Sequence, residues 1–175
     1  MDYHIQAKET RYKGTLFRSR LEARWAAYFD LCKWNWTYEP IELNGWVPDF
    51  ILSFSSPIAI EVKPLLCAED FIQFDNSKIN VSGWEHEVAL IGATILTGNN
   101  NELRYGMLRD YGLTWDWMNH KTCGDHFSFC HSSNNFSCRF CGLNNGCSFS
   151  DDESCAFVKE RWNEAGSIVR FEIQN

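Results

Sequence analysis

A chain of 175 residues and 20.4 kDa fits one ordinary domain and is too short for two full-sized ones. With 45% hydrophobic, 22% charged and 15% aromatic residues it has the composition of a globular core, which excludes intrinsic disorder and coiled coil. The formal charge of −7 disfavours a polyanionic partner, yet residues 1–24 hold six Lys or Arg against three Asp or Glu, so a local basic face is expected on an acidic protein.

The opening MDYHIQAKET lacks the apolar stretch of a signal peptide, and no apolar run reaches the roughly 18 residues of a membrane span. The expectation is a soluble cytoplasmic protein with no membrane partner. Of the eight Cys, six fall between Cys123 and Cys155. Without a secretion signal, such clustering points to metal ligation more than to disulfides. Cys32, on an apolar helical stripe, and Cys67, just past a strand, are expected to be buried small hydrophobes.

In chain order, residues 1–15 form a basic N-terminal arm and 16–120 a core. Leu21, Trp25, Tyr28, Phe29 and Cys32 recur at three- and four-residue intervals, which predicts a helix from Arg18 to Cys32. Two strands follow, Trp36 to Glu42 and Trp46 to Phe54, joined at Asn44-Gly45, a preferred pair for a tight hairpin turn. After a turn at Ser55-Ser56-Pro57, the alternation of Ile58, Ile60 and Val62 with Ala59, Glu61 and Lys63 predicts a third strand, ended by Pro64. Ala68 to about Ile79 has weak helical character, and Val88 to Leu96 reads as a buried strand. The order is α-β-β-β-α-β, and LRYGML and LTWDWM are candidates for two more strands. Residues 121–149 are dense in Cys, Asn, Ser and Gly and are expected to need cross-links or metal for order. Residues 150–175 read as a helix with Ser150 and Glu153 as capping box and Gly166 as its stop, then a strand from Ser167 to Ile173.

The chemistry lies in the acids of the second and third strands. Glu61 and Lys63, two apart, share a face, and a hairpin centred on Ser55 sets Asp49 across from Glu61. Opposed carboxylates repel unless something offsets them, and a divalent cation with oxygen ligands is the usual answer. Glu22 falls beside Phe29 and Arg18 at the edge of the helix's apolar stripe, within reach of the core's margin. Each residue alone also fits a plainer role: Glu61 and Lys63 as a solvated edge-strand pair, Asp49 as a turn residue, Glu22 as a helix position stabilised by Arg18.

Pro48-Asp49, Glu61-Val62-Lys63 on a hairpin and a preceding helix with Glu22 together resemble the PD-(D/E)xK nuclease superfamily, whose common core has this element order. Within it, LEARWAAYFD, WTYEP, VPDFIL and IEVKP look most like the nuclease subunit of heteromeric transposases and related small phage endonucleases. The resemblance covers residues 16 to 64. It implies a restriction-endonuclease-like α/β fold and Mg²⁺- or Mn²⁺-dependent hydrolysis of DNA phosphodiesters in phage or mobile-element DNA processing. Asp49, Glu61 and the carbonyl of Val62 would hold the metal, Lys63 would hold or activate the attacking water, and Glu22 would complete the site. Such chemistry needs an in-line nucleophile and neutralisation of the phosphate, which a carboxylate-bound metal and an ammonium supply.

Arg18 and Arg20 beside Glu22, and Lys13 in the arm, are candidate DNA contacts, because a cation pairs with phosphate oxygens. Arg24 is a further one. Cys138-Arg-Phe-Cys141-Gly142 has the form of a zinc knuckle half-site, with Cys123 and either His126 or Cys130 as the favoured partners for a structural Zn²⁺. The rival expectation is a catalytically silent protein of the same fold that binds a host protein or nucleic acid. A homodimer or a protein partner stays open.

Overall fold

In the computed structural model, residues 7–111, 113–123, 126–131, 148–149 and 152–172 are described. The chain opens with a small hairpin, β1 (Thr10–Tyr12) and β2 (Thr15–Phe17), so the basic arm is in part a paired element. Its turn runs through Lys13 and Gly14, both at positive φ. Helix α1 (Arg20–Leu31) follows, then β3 (Trp36–Tyr38), β4 (Phe50–Ser53) and β5 (Pro57–Val62). Two short helices, α2 (Ala68–Gln73) and α3 (Ser77–Asn80), lead to β6 (Val88–Thr97), β7 (Leu103–Arg109), β8 (Trp115–Cys123) and β9 (His126–His131). A two-residue β10 (Ser148–Phe149) and helix α4 (Asp152–Glu172) complete it.

The protein is mixed α/β. One eight-stranded sheet has the order β10-β8-β7-β6-β5-β4-β3, with β9 paired to β8. β3, β4 and β5 are antiparallel neighbours and β5 pairs with β6 in parallel, so the predicted α-β-β-β-α-β order is present. The expected hairpin at Asn44-Gly45 is there too. Its turn takes positive φ at both residues (48° and 81°), and Leu43 and Trp46 exchange backbone bonds across it. The ladder is shorter than the pattern implied, because Glu39 leaves extended geometry at φ 43°.

Sheet alternation sorts the core into two layers. Phe50, Leu52, Ile58, Ile60 and Val62 pack with Trp25, Tyr28 and Phe29 of α1. Helix α4 lies on α1, where Trp162 meets Trp25 at a ring separation of 4.5 Å. On the opposite face Ala59, Val88, Trp46 and Ile79 of α3 form a second cluster. Within the larger core Tyr28, Tyr105 and His120 form a buried chain of hydrogen bonds. No helix among the described residues is long and apolar enough to cross a membrane.

Three expectations are corrected. Residues 152–172 are one helix, with no strand from Ser167 and no stop at Gly166. Val158, Trp162, Ala165 and Val169 are buried at helical spacing through that point, and a Cβ at Gly166 would come within 3.0 Å of the Arg24 guanidinium. The glycine serves close approach instead of termination. Second, Cys67 is exposed, since it is the N-cap residue of α2, whereas Cys32 is buried as expected. Third, residues 121–123 and 126–131 belong to the main sheet: Phe127 and Phe129 are buried, and Trp34 donates its indole N–H to the Phe127 carbonyl at 2.9 Å. The capping Ser150 and the rest of the Cys-rich segment lie outside the described residues.

Candidate active site

The β4–β5 register pairs Phe50 with Ile60, which sets Asp49 across from Glu61 as the sequence implied. Both carboxylates are buried, at 3% and 7% exposure. Period-two alternation puts Asp49, Glu61 and Lys63 on the sheet face away from α1, because Phe50, Ile60 and Val62 take the face that α1 covers.

Every oxygen of the pair has a defined neighbour. Asp49 Oδ2 accepts the Val62 amide N–H at 2.7 Å, and Asp49 Oδ1 accepts Arg18 Nη2 at 2.9 Å. Glu61 Oε2 accepts the indole N–H of Trp46 at 2.8 Å. Glu61 Oε1 faces Lys63 Nζ at 2.5 Å, and the same ammonium donates to the Val62 carbonyl at 3.2 Å and lies 4.0 Å from Asp49 Oδ2. Burial, and after it the negative charge of Glu61, push the Asp49 carboxyl up to about 7; Lys63 and the Val62 amide work against the rise.

Arg18 bridges two acids. Its Nη2 meets Asp49 Oδ1 and, as an ion pair out of line for a hydrogen bond, Glu39 Oε1 at 2.5 Å. Burial opposes its charge, but Tyr38, Glu39 and Asp49 outweigh that and raise its pKa. The positive φ of Glu39 belongs to this arrangement: the residue turns out of β3 next to Asp49, bonding its amide to the Asp49 carbonyl.

Glu22 is buried but does not join the carboxylate pair. Ser19 caps α1 by accepting the Glu22 amide at 3.1 Å and returns its hydroxyl to Glu22 Oε1 at 2.7 Å. Glu22 Oε2 accepts the Tyr38 hydroxyl at 2.6 Å and the Arg18 amide at 3.2 Å. Since α1 packs against the other sheet face, this carboxylate is spent on ordering the helix start and the Tyr38-Glu39 segment. Its charge still contributes to the rise at Asp49.

The basic candidates divide. Lys13 pairs with Asp30 at 2.8 Å, and Arg20 is exposed on the first turn of α1. Arg24 is half-buried, its guanidinium 3.8 Å over the Trp162 ring and bonded to the Trp162 carbonyl. Of the zinc candidates, Cys138 and Cys141 lie outside the described residues. Cys123 and His126 are register partners across β8 and β9. Cys130 is buried opposite Asn119, four residues further along β9 or roughly 13 Å, too far to share one ion with either.

Among the described residues no group of three or more His, Cys, Asp or Glu side chains could hold a metal ion. What the site offers is a smaller donor set, all oxygen, of the hardness Mg²⁺ or Mn²⁺ prefers: Glu61 Oε1, Asp49 Oδ2 and the Val62 carbonyl, the atoms around the Lys63 ammonium. Sequence reasoning missed Trp46 and the part Glu39 plays. The only local signal for either was its place, Trp46 after the Asn-Gly turn and Glu39 within WTYEP. No family model matches the chain, no curated protein matches it, and no solved structure does.

Proposed function

We propose that this protein is a divalent-metal-dependent DNA endonuclease with a restriction-endonuclease-like core, acting in phage or mobile-element DNA processing. The observation that carries the reading is the convergence on one sheet face of two buried carboxylates, one backbone carbonyl and one lysine from adjacent strands. Asp49, Glu61 and the Val62 carbonyl would hold Mg²⁺ or Mn²⁺, which supplies charge neutralisation at the phosphate and a more acidic water. Arg18, at 60% side-chain exposure, would take a phosphate oxygen. Lys63 offers an ammonium to charge that develops on the phosphoryl oxygens. Trp46 holds one oxygen of Glu61 in place. Ser19, Glu22 and Tyr38 fix the start of α1 and with it the backbone that carries Arg18.

A structural Zn²⁺ is proposed on the Cys138-x₂-Cys141 spacing with Cys123 and His126 as the second half. Metal analysis of freshly purified, reduced protein should find about one zinc per chain. The test of the main reading is Mg²⁺-dependent nicking of supercoiled plasmid, abolished by chelation. Stable association with a host protein, without cleavage of linear, branched or supercoiled DNA, would move the assignment to a silent binder.

A further inference from the structure

On the reading of Asp49, Glu61 and Val62 as a divalent-cation position, a cation of the protein's own already stands there. Lys63 Nζ lies 2.5 Å from Glu61 Oε1, 3.2 Å from the Val62 carbonyl oxygen and 4.0 Å from Asp49 Oδ2. The remaining carboxylate oxygens are committed elsewhere. Glu61 Oε2 is held by Trp46, and Asp49 Oδ1 by Arg18. A metal entering from solvent therefore has to use Glu61 Oε1 and the Val62 carbonyl, which the ammonium contacts, together with Asp49 Oδ2, which also accepts the Val62 amide.

Mg²⁺ and Mn²⁺ sit about 2.1 Å from their oxygen ligands. An ammonium at 2.5 Å from Glu61 Oε1 would then lie within a few ångströms of the ion, and two cations that close repel one another even in a partly solvated site. The two occupants exclude each other. Lysine suits such an exchange, because its charge is a point on a flexible four-carbon stem and this side chain is 34% exposed, with solvent to withdraw into.

We propose that Lys63 is the resident counter-ion of the metal position, and that a divalent cation binds by displacing its ammonium from Glu61. Metal affinity is then set by competition with Lys63. Displacement also turns the ammonium from the carboxylates toward the side on which a phosphodiester would lie, so that loading of the site and presentation of the lysine are one event.

The test is calorimetric titration with Mn²⁺ of the full chain, without DNA, comparing wild type, Lys63→Met, Lys63→Gln and Glu61→Gln. Met keeps the length of the four-atom stem and Gln shortens it by one carbon, and both remove the charge. Each is expected to bind Mn²⁺ about tenfold more tightly than wild type, the scale of one close like-charge repulsion at a partly solvated site. Glu61→Gln is expected to lose the binding. If both Lys63 variants bind Mn²⁺ as wild type does, or more weakly, while Glu61→Gln abolishes binding, the counter-ion role is overturned and the nuclease reading stands. If neither wild type nor either Lys63 variant shows Glu61-dependent Mn²⁺ binding, both fall together.

Discussion

Trp46 donates its indole N–H to Glu61 Oε2 across 2.8 Å, and both side chains are buried. The bond decides which oxygen of the carboxylate faces Lys63. Trp46→Phe keeps an aromatic ring in the cluster with Ala59, Ile79 and Val88 but leaves Oε2 unsatisfied. The expected cost is about 1–3 kcal/mol in urea denaturation. Nicking should slow by roughly 10- to 100-fold, the usual range for losing a partner that orients a ligand.

Asp49→Ala and Glu61→Ala should each abolish Mg²⁺-dependent nicking, on the order of a thousandfold or more, because each removes a ligand from a small donor set. Far-UV circular dichroism should stay native, since either change also relieves the repulsion of two buried acids. Cutting at the parent rate by either variant would move the site elsewhere.

The raised Asp49 carboxyl makes stability depend on pH in a definite direction. Its pKa, about 7 in the folded protein against 3.8 ordinarily, means that the native state binds more protons than the unfolded chain between these values. Stability therefore falls as pH rises through that window. Asp49→Asn has no such proton to lose. Relative to it, the wild type should become less stable between pH 4 and pH 8, by on the order of 2–4 kcal/mol in urea midpoints measured without divalent metal. Mn²⁺ binding should weaken below pH 7, since proton and metal compete for one carboxylate.

Arg18→Gln should weaken DNA binding and flatten its dependence on salt, measured with Ca²⁺ in place of Mg²⁺, because one phosphate contact and its released counterion are lost. Lys63→Ala should instead slow cleavage far more than it weakens binding, as expected of a charge that acts on the transition state. A loss of binding as large as the loss of cleavage would remove Lys63 from the chemistry.

Gly166 gives a test of packing away from the site. A Cβ there would meet the Arg24 guanidinium at 3.0 Å, and Arg24 is pinned between the Trp162 ring and its carbonyl. Gly166→Leu should cost about 1–3 kcal/mol by overpacking despite leucine's better helix propensity. In an Arg24→Ala background the same change should cost much less, a coupling that a double-mutant cycle measures.

The regular repeats were legible in the sequence. The 3.6-residue stripe of α1, the alternation of β5 and the centring of the hairpin on Ser55 located Asp49, Glu61 and Lys63 on one face. What failed was whatever depends on a distant neighbour. Gly166 obeys the local rule for a helix stop, but Arg24, far earlier in the chain, explains why it is a glycine. Phe127 and Phe129 alternate as a strand should, yet the His, Ser and Cys around them masked the signal until Trp34 supplied a wall to pack on. Glu22 pointed to the right margin of the core, but which group it serves was decided by Ser19 and Tyr38.

The N-terminal cations, so prominent in the sequence, are largely answered from within. Lys13 has Asp30, Arg18 has Asp49 and Glu39, and Arg24 has the face of Trp162. A ligand arriving at this end of the molecule must therefore outbid carboxylates already in place before it recruits Arg18 or Lys13. Isolated acidic side chains on another protein bring nothing stronger than what is there. A polymer with a charge at every repeat, as in the proposed DNA substrate, would bring several charges to Arg18 and the exposed Arg20 at once. On the proposed function the surface would discriminate by linear charge density, a filter that a bare count of its arginines and lysines would not reveal.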